Sequence, residues 1–329
     1  LKKSEIQFAL SAVSCATQLA VAIRAGIKQA APAALLKGDK SPVTIADFAI
    51  QALVGEMLME SFPEDVLVGE ESSAALRTSG GEEMLEEIRA HIAGFFPQAT
   101  PELICDWIDL GTSQPSQRYW TIDPIDGTAG FLRGDQYAIG VSLVIDGKSE
   151  LSVLGCPHLR NGCIPDMKSG GSVVFAVKGQ GSWLTSLDLE SSLQRLQVSD
   201  CADLRKARSL CPVDKNHSNM SLTEKMLQHR QVAETPMALD SMAKYAVVAG
   251  GAADFFSYLP SARHTGSYHM NVWDIAPGAL IVEEAGGRVT DLEGNIPDYS
   301  VIRVPLHSGL LISNGLLHDE LLAAFKSVQ

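Results

Sequence analysis

Apolar residues from Ser4 to Ala30 recur at helical spacing, broken by Ser11, Ser14, Thr17 and Gln18, and the run ends near Ala31-Pro32. That pattern predicts one long packed helix. Beyond the turn-rich Lys37-Gly38-Asp39-Lys40-Ser41-Pro42, Thr44 to Ser61 predicts a second helix with Ile45, Phe48, Ala49, Ala52, Leu53 and Leu58 as its stripe, stopped by Phe62-Pro63. Val66 to Gly69 is a short apolar strand running into Glu70-Glu71, and Glu82 to Ile92 reads as a charged, solvated helix inserted at the surface. Strands follow at Arg118 to Ile122, Ala138 to Ile145 and Leu151 to Gly155, then a hairpin-like pair at Ser172 to Val177 and Gly181 to Leu184.

From about Leu196 the signals alternate more regularly. Helices are predicted at Ser241 to Gly250, Trp273 to Ala285 and Leu316 to Val328, and strands at Ala253 to Tyr258, Arg288 to Thr290 and Gly309 to Ser313. Gly286-Gly287 is a strong stop for the middle helix. The change from hairpins to alternation places a soft boundary near Gly155. Residues 1–155 form an N-terminal α+β domain and residues 156–329 a C-terminal α/β domain. No Pro/Ser-rich linker separates them, so a broad shared interface is expected.

The composition narrows the function. With 329 residues, 46% apolar and 20% charged, the chain is ordinary globular material, not disordered, collagen-like or coiled-coil. The 26 basic against 39 acidic residues give a net charge of −13, the wrong sign for a nucleic-acid coat. A small anionic ligand stays open, because metal ions reverse the local field. No run reaches about 18 consecutive apolar residues, so no membrane span is expected. The six cysteines are too sparse for a disulfide scaffold, and Cys156, His158 and Cys163 lack a fourth zinc ligand. The chain opens on Leu1, which leaves the cytoplasm and an organelle reached by a lost targeting peptide both open.

Chemistry concentrates in the carboxylates. Trp120-Thr-Ile-Asp-Pro-Ile-Asp-Gly-Thr128 puts Asp123 and Asp126 three residues apart at a strand end, with Pro124 stiffening the turn and Gly127 letting it bend. Two acids that close repel unless a cation lies between them. Gly69-Glu70-Glu71-Ser72 places further acids after a buried strand, Asn271-Val-Trp-Asp274 another at a helix start, and Asp47 another inside the second helix. Each has a plain reading as a cap, a dipole partner or a solvated strand end. Together they supply what a hard, all-oxygen Mg²⁺ site requires, with a backbone carbonyl from the Asp-Pro-Ile-Asp turn. Such a site suits phosphate-ester hydrolysis by metal-activated water. The N–H groups of Gly127 and Thr128 would hold phosphate oxygens. No nucleophile elbow, Walker loop or histidine cluster calls for a covalent intermediate.

These strings resemble the lithium-sensitive, magnesium-dependent phosphatase superfamily that contains inositol monophosphatase. The matching residues are Ser41-Pro-Val-Thr-Ile-Ala-Asp47, Val68-Gly-Glu-Glu-Ser72, Asp123-Pro-Ile-Asp-Gly-Thr128, Trp273-Asp274 and Glu283-Glu-Ala-Gly-Gly287. Within it, Gly130-Phe-Leu-Arg-Gly134 and Asp240-Ser-Met-Ala-Lys-Tyr245 resemble the 3′(2′),5′-bisphosphate nucleotidase branch, which acts on 3′-phosphoadenosine 5′-phosphate.

The resemblance implies a five-layered αβαβα sandwich with the site between the halves. It implies metal ligation of two to three Mg²⁺ by Glu70, Asp123, the Ile125 carbonyl, Asp126 and Asp274, with Li⁺ inhibiting. Asp47 and Thr128 would activate water, Asp47 also touching a third metal. Ser241 and Lys244 would bind the nucleotide, as would His217 and Ser218 near the adenosine. Glu71 should point away by strand alternation.

Two residues depart from the branch: Ala129 stands where Lys is usual, and Tyr258 where Arg is aligned. Arg263 or His264 would be the replacement cation. Tyr258 supports an alternative reading as an inositol-phosphate or sugar-phosphate phosphatase. A non-catalytic nucleotide sensor is the third reading, and it predicts damaged metal ligands, of which none is visible. The expected partner is a small nucleotide, with no nucleic acid and no membrane. A monomer is expected, with a dimer as the alternative.

Overall fold

The computed structural model describes residues 1–27, 35–36, 42–78, 80–213, 220–260 and 268–328. The apolar runs of the first half assemble into a seven-stranded sheet. Its order is Gln194–Arg195, Gly181–Ser186, Ser172–Val177, Lys148–Cys156, Ala138–Ile145, Arg118–Asp126 and Val66–Gly69. Every pairing is antiparallel except the last, where Val66–Gly69 runs parallel to Arg118–Asp126. Both faces are covered, so the strands read as near-continuous apolar runs. Trp120, Ile139, Val141, Val153 and Phe175 enter one core, while Tyr119, Val144, Leu154 and Val174 enter the other.

Helices Lys3–Gly26 and Ile45–Ser61 lie on the first face. Helices Ala243–Ala249 and Val272–Glu284 lie on the second. A three-stranded sheet, in the order Phe255–Tyr258, Leu310–Ser313, Arg288–Asp291, backs the second helix layer. Helices Met220–His229 and His318–Lys326 close the stack. The architecture is the expected αβαβα sandwich.

Two features differ from the reading of the sequence, and a third agrees with it. The boundary at 155 falls at the end of strand Lys148–Cys156, and the large sheet continues to Arg195. The hairpins after Gly155 are antiparallel additions to that sheet, because Ser172–Val177 pairs directly with Lys148–Cys156. Helix Glu82–Ile92 is not merely solvated: Leu85, Ile88 and Ile92 are buried, packed with Ile45–Ser61 and a helix at Pro101–Asp109. The N-terminal helix has the length and composition to cross a membrane, but here Phe8, Ala12, Val13, Ala16, Leu19, Ala20 and Ile23 are sunk in the first core.

His318 shows how the outer layer closes. Its ring is fully buried, with Nε2 2.8 Å from Thr290 Oγ1 and Nδ1 2.8 Å from Ser313 Oγ. Thr290 gives its own proton to the Asp291 carbonyl, so its oxygen accepts from Nε2–H and Nδ1 accepts from Ser313. Burial, with Arg288 nearby, pushes the imidazole down to about 4. Protons therefore favour the unfolded chain, whose histidine titrates near 6.5, so stability falls as pH drops from about 6.5 towards about 4. His318→Asn should be less stable at pH 7.5 and lose less stability across that window. Urea midpoints at several pH values measure both effects, and parallel curves for the two proteins would remove His318 from the acid response.

Candidate active site

The site begins with the register of two parallel strands. Gly69 lies opposite Ile122, which carries Glu70 alongside Asp123 where the parallel pairing ends. On the other edge, Asp123 pairs with Gly140 and Asp126 with Ala138, so three steps on one strand match two on its neighbour. In a regular strand residues three apart face opposite sides; the extra residue, in a stretch where Pro124 has no N–H for the ladder, returns Asp126 to the side of Asp123. Asp274 arrives from helix Val272–Glu284. One carboxylate oxygen each from Asp123, Asp126 and Asp274 lies within 4.8 Å of the others.

This convergence is electrostatically costly. Asp123 is 1% exposed, and burial first, then the charges of Glu70, Asp126, Asp274 and Asp47, holds its carboxyl well above the usual range. Asp274, which is half-buried, is raised well above it too, by burial and then by Glu70 and Asp126. Asp126 is pushed to about 6 by burial, and Lys244 and the Met242 N–H pull the other way. Among the described residues, the buried Asp123 Oδ1 has no hydrogen-bond donor. An orphaned anionic oxygen beside two further carboxylates, in an all-oxygen donor set, fits a hard divalent cation such as Mg²⁺.

Two of the carboxylates are also helix caps. Asp47 is the third residue of its helix, and its Oδ2 accepts from Thr44 N (2.8 Å) and Thr44 Oγ1 (2.6 Å). Asp274 is likewise third in its helix and accepts from Asn271 N at 3.2 Å. The plain reading and the chemical one therefore hold together, because the capping box fixes one oxygen of each carboxylate. In Asp47 the other oxygen, Oδ1, lies 3.4 Å from Thr128 Oγ1. The Thr128 hydroxyl is also 3.1 Å from the Ile125 carbonyl. Gly127, at φ +86°, turns the chain from the strand into the six-residue helix Thr128–Arg133.

Against the Gly127 turn, Ser241 is buried and left-handed at φ +70°, and its Oγ accepts from Ala243 N at 3.2 Å. Lys244 is buried as well. Its Nζ donates to the Leu239 carbonyl at 3.2 Å and lies 5.3 Å from the ring centre of Tyr258 and 5.8 Å from that of Phe256. Burial lowers the Lys244 ammonium, while Asp126 and Asp240 pull it back up. Tyr258 is half-buried and packs edge-on against Phe256. Ala129 is exposed. His217 and Ser218 lie outside the described residues, as do Arg263 and His264.

Sequence reasoning missed two residues. Gln51, fully buried and one turn after Asp47, holds the Glu70-Glu71 backbone: Nε2 donates to the carbonyls of Glu71 (2.6 Å) and Ile108 (2.8 Å), and Oε1 accepts from Glu71 N (2.9 Å). Its four-residue spacing from Asp47 was the available signal. The second is the Met242 N–H, which donates to Asp126 Oδ2. A backbone donor leaves no mark in the sequence.

A family model described as the inositol monophosphatase family matches residues 5–329, and the chain belongs to that family. Among its curated relatives, the chain is similar to the 3′(2′),5′-bisphosphate nucleotidase of Oryza sativa, at 36% identity over 98% of this chain and 93% of the relative. The corresponding protein of Schizosaccharomyces pombe is 35% identical over 99% and 92%. The bisphosphate nucleotidase 2 of Candida albicans is 33% identical over 99% and 98%. The fold matches the inositol monophosphatase of Thermotoga maritima, with a TM-score of 0.66 and 21% identity over 98% of this chain and 97% of that one. It also matches CysQ of Bacteroides thetaiotaomicron, with a TM-score of 0.63 and 17% identity over 94% and 97%.

The Gly127 turn can be tested without chemistry. A methyl group there would lie 2.9 Å from Ser241 Cβ, on a backbone that side chains seldom adopt. Gly127→Ala should cost about 1–3 kcal/mol of stability. Chemical denaturation measures it, and a change under about 0.5 kcal/mol, ordinary for surface substitutions, would show that the two turns are not in contact.

Proposed function

We propose that the chain is a 3′(2′),5′-bisphosphate nucleotidase, a Mg²⁺-dependent phosphomonoesterase. It removes the 3′-phosphate of 3′-phosphoadenosine 5′-phosphate, giving AMP and phosphate. The sulfated analogue, 3′-phosphoadenylyl sulfate, is accepted by the same chemistry, since its sulfate lies away from the reacting bond. The observation carrying the reading is the meeting of Asp123, Asp126 and Asp274, with oxygens within 4.8 Å of one another, and the Asp47–Thr128 pair beside them.

Glu70, Asp123, Asp126, Asp274 and the Ile125 carbonyl would hold the cations. When bound, Mg²⁺ makes water acidic, shields the phosphate and stabilises the leaving oxygen. The protein's own residues do the rest. Thr128 Oγ1 gives its proton to Asp47 Oδ1 or to the Ile125 carbonyl, which leaves its lone pairs to orient a water molecule. Asp47, anchored through Oδ2 by Thr44, accepts the proton of the attacking water on Oδ1. A hydroxyl is needed at position 128 because both donor and acceptor capacity are used. Gly127 and Thr128 present N–H groups to the phosphate where the short helix begins. Ser241, Lys244 and Tyr258 line the nucleotide side, with Lys244 as the buried positive charge nearest Asp126.

Tyr258 favours a second reading. Its ring replaces an expected cation and covers the Lys244 ammonium, which suits a less anionic substrate such as an inositol or sugar monophosphate. Phosphate release from the adenosine bisphosphate, its sulfated analogue and inositol 1-phosphate, each with and without Mg²⁺ and Li⁺, separates the two. We expect the bisphosphate to lead, Mg²⁺ to be required and Li⁺ to inhibit at low concentration; a lead for inositol 1-phosphate would reverse the assignment. Asp126→Asn should keep its circular dichroism and lower turnover by orders of magnitude, because one ligand charge is gone. Near-normal turnover in that variant would place Asp126 outside the chemistry.

A further inference from the structure

The strings Gly130-Phe-Leu-Arg-Gly134 and Asp240-Ser-Met-Ala-Lys-Tyr245 lie over a hundred residues apart in the sequence, yet the fold presses them together. The Asp240 carboxylate reaches the last residue of the short helix: Oδ2 lies 2.6 Å from Arg133 Nη2. The same Oδ2 would lie 3.8 Å from a methyl group on Gly130, so Asp240 runs along the helix. Ser241 packs against Gly127 at the other end of that helix. Met242 then donates its backbone N–H to Asp126 Oδ2. Three consecutive residues thus grip the helix C-terminus, its opening glycine and the carboxylate before it. A helix of six residues has little rigidity of its own.

We propose that Asp240 and Arg133 are positioning residues that latch segment 240–242 onto helix Thr128–Arg133 and so fix the Asp126 carboxylate for cation binding. The inference rests on the cation site of the preceding section. The Asp240 side chain is only 16% exposed, and its Oδ1 accepts from Val213 N at 3.0 Å, so it is held from a third direction. Arg133 is 41% exposed and also pairs with Asp135 at 2.8 Å. A surface pair of that exposure adds little to stability. Its effect is on geometry: without it, residues 240–242 can shift away from the helix, and the N–H at Met242 leaves Asp126.

The latch is tested on the free enzyme by Mg²⁺ calorimetry, alongside melting temperature and steady-state kinetics on the adenosine bisphosphate. Asp240→Asn keeps an acceptor for Val213 but loses the charge facing Arg133. Arg133→Met, on an exposed side chain, carries little folding risk. Each should weaken Mg²⁺ binding about tenfold, the lower end of what supporting shells around metals contribute. kcat should fall in step, KM for the nucleotide should change less, and the melting temperature should hold. The double variant should be no worse than the weaker single, and Arg133→Lys should recover part of the affinity. Wild-type Mg²⁺ affinity and kcat in both single variants would overturn the latch alone. Failure of the wild type itself to bind Mg²⁺ would overturn the cation-site reading and the latch with it.

Discussion

Like charges buried together govern this structure. Asp123, Asp126 and Asp274 bring their oxygens within 4.8 Å, and the charge of Glu70 raises all three. Among the described residues, the one buried ammonium acting on the trio is Lys244, and it acts through Asp126. A chain folding for stability alone would separate such groups or neutralise them. Here the surrounding layers hold them in place: a strand buried along most of its length in a seven-stranded sheet, a helix likewise buried, and backbone N–H donors to Asp126 and Asp274.

Those anchors use local rules for a distant purpose. A capping box ordinarily ends a helix cleanly; at Thr44–Asp47 and Asn271–Asp274 it also holds one oxygen of a site carboxylate. A β-bulge ordinarily bends a strand; between Asp123 and Asp126 it brings two residues of opposite parity to one side. The Gln51 amide does for the Glu70-Glu71 backbone what a capping side chain does for a helix end. Elements that look ordinary one at a time become a site because the contacts that cap a helix or bend a strand also bring carboxylates together.

Much of this was legible in the residue order. The helices, most strands of the large sheet and the acids at their ends follow from periodicity and turn chemistry. The layered fold and the family follow from resemblance. What stayed hidden has physical reasons. That the large sheet runs on past Gly155 stayed hidden because antiparallel hairpins extend a sheet without any change in composition, so the sequence carried no signal that Ser172–Val177 joins Lys148–Cys156. The helix Pro101–Asp109 was overlooked although Thr100 and Pro101 mark its start. The role of Glu82–Ile92 was misjudged because five charged residues hide a narrow stripe of Leu85, Ile88 and Ile92. The Met242 N–H belongs to the backbone, and only the left-handed Ser241 before it aims that group at Asp126.

The two halves meet through contacts too close for independent movement at the site. A methyl group on Gly140, in the large sheet, would fall 2.5 Å from Met242 Cε and 3.0 Å from Pro277 Cβ; one on Gly278 would fall 2.4 Å from the Tyr245 ring. Met242 and Tyr245 belong to the segment beside Asp126, and Pro277 and Gly278 to the helix that delivers Asp274. Glycines at these crossings let the backbones approach closely, so the carboxylates of the strand and of the helix are set by the same packing. The interior is dense enough that a shift of the helix must displace the sheet residues next to Asp123 and Asp126. The seam between the layers therefore sets the spacing of strand and helix, while the Asp240 contacts set how segment 240–242 meets the short helix, and packing opposes repulsion among the acids.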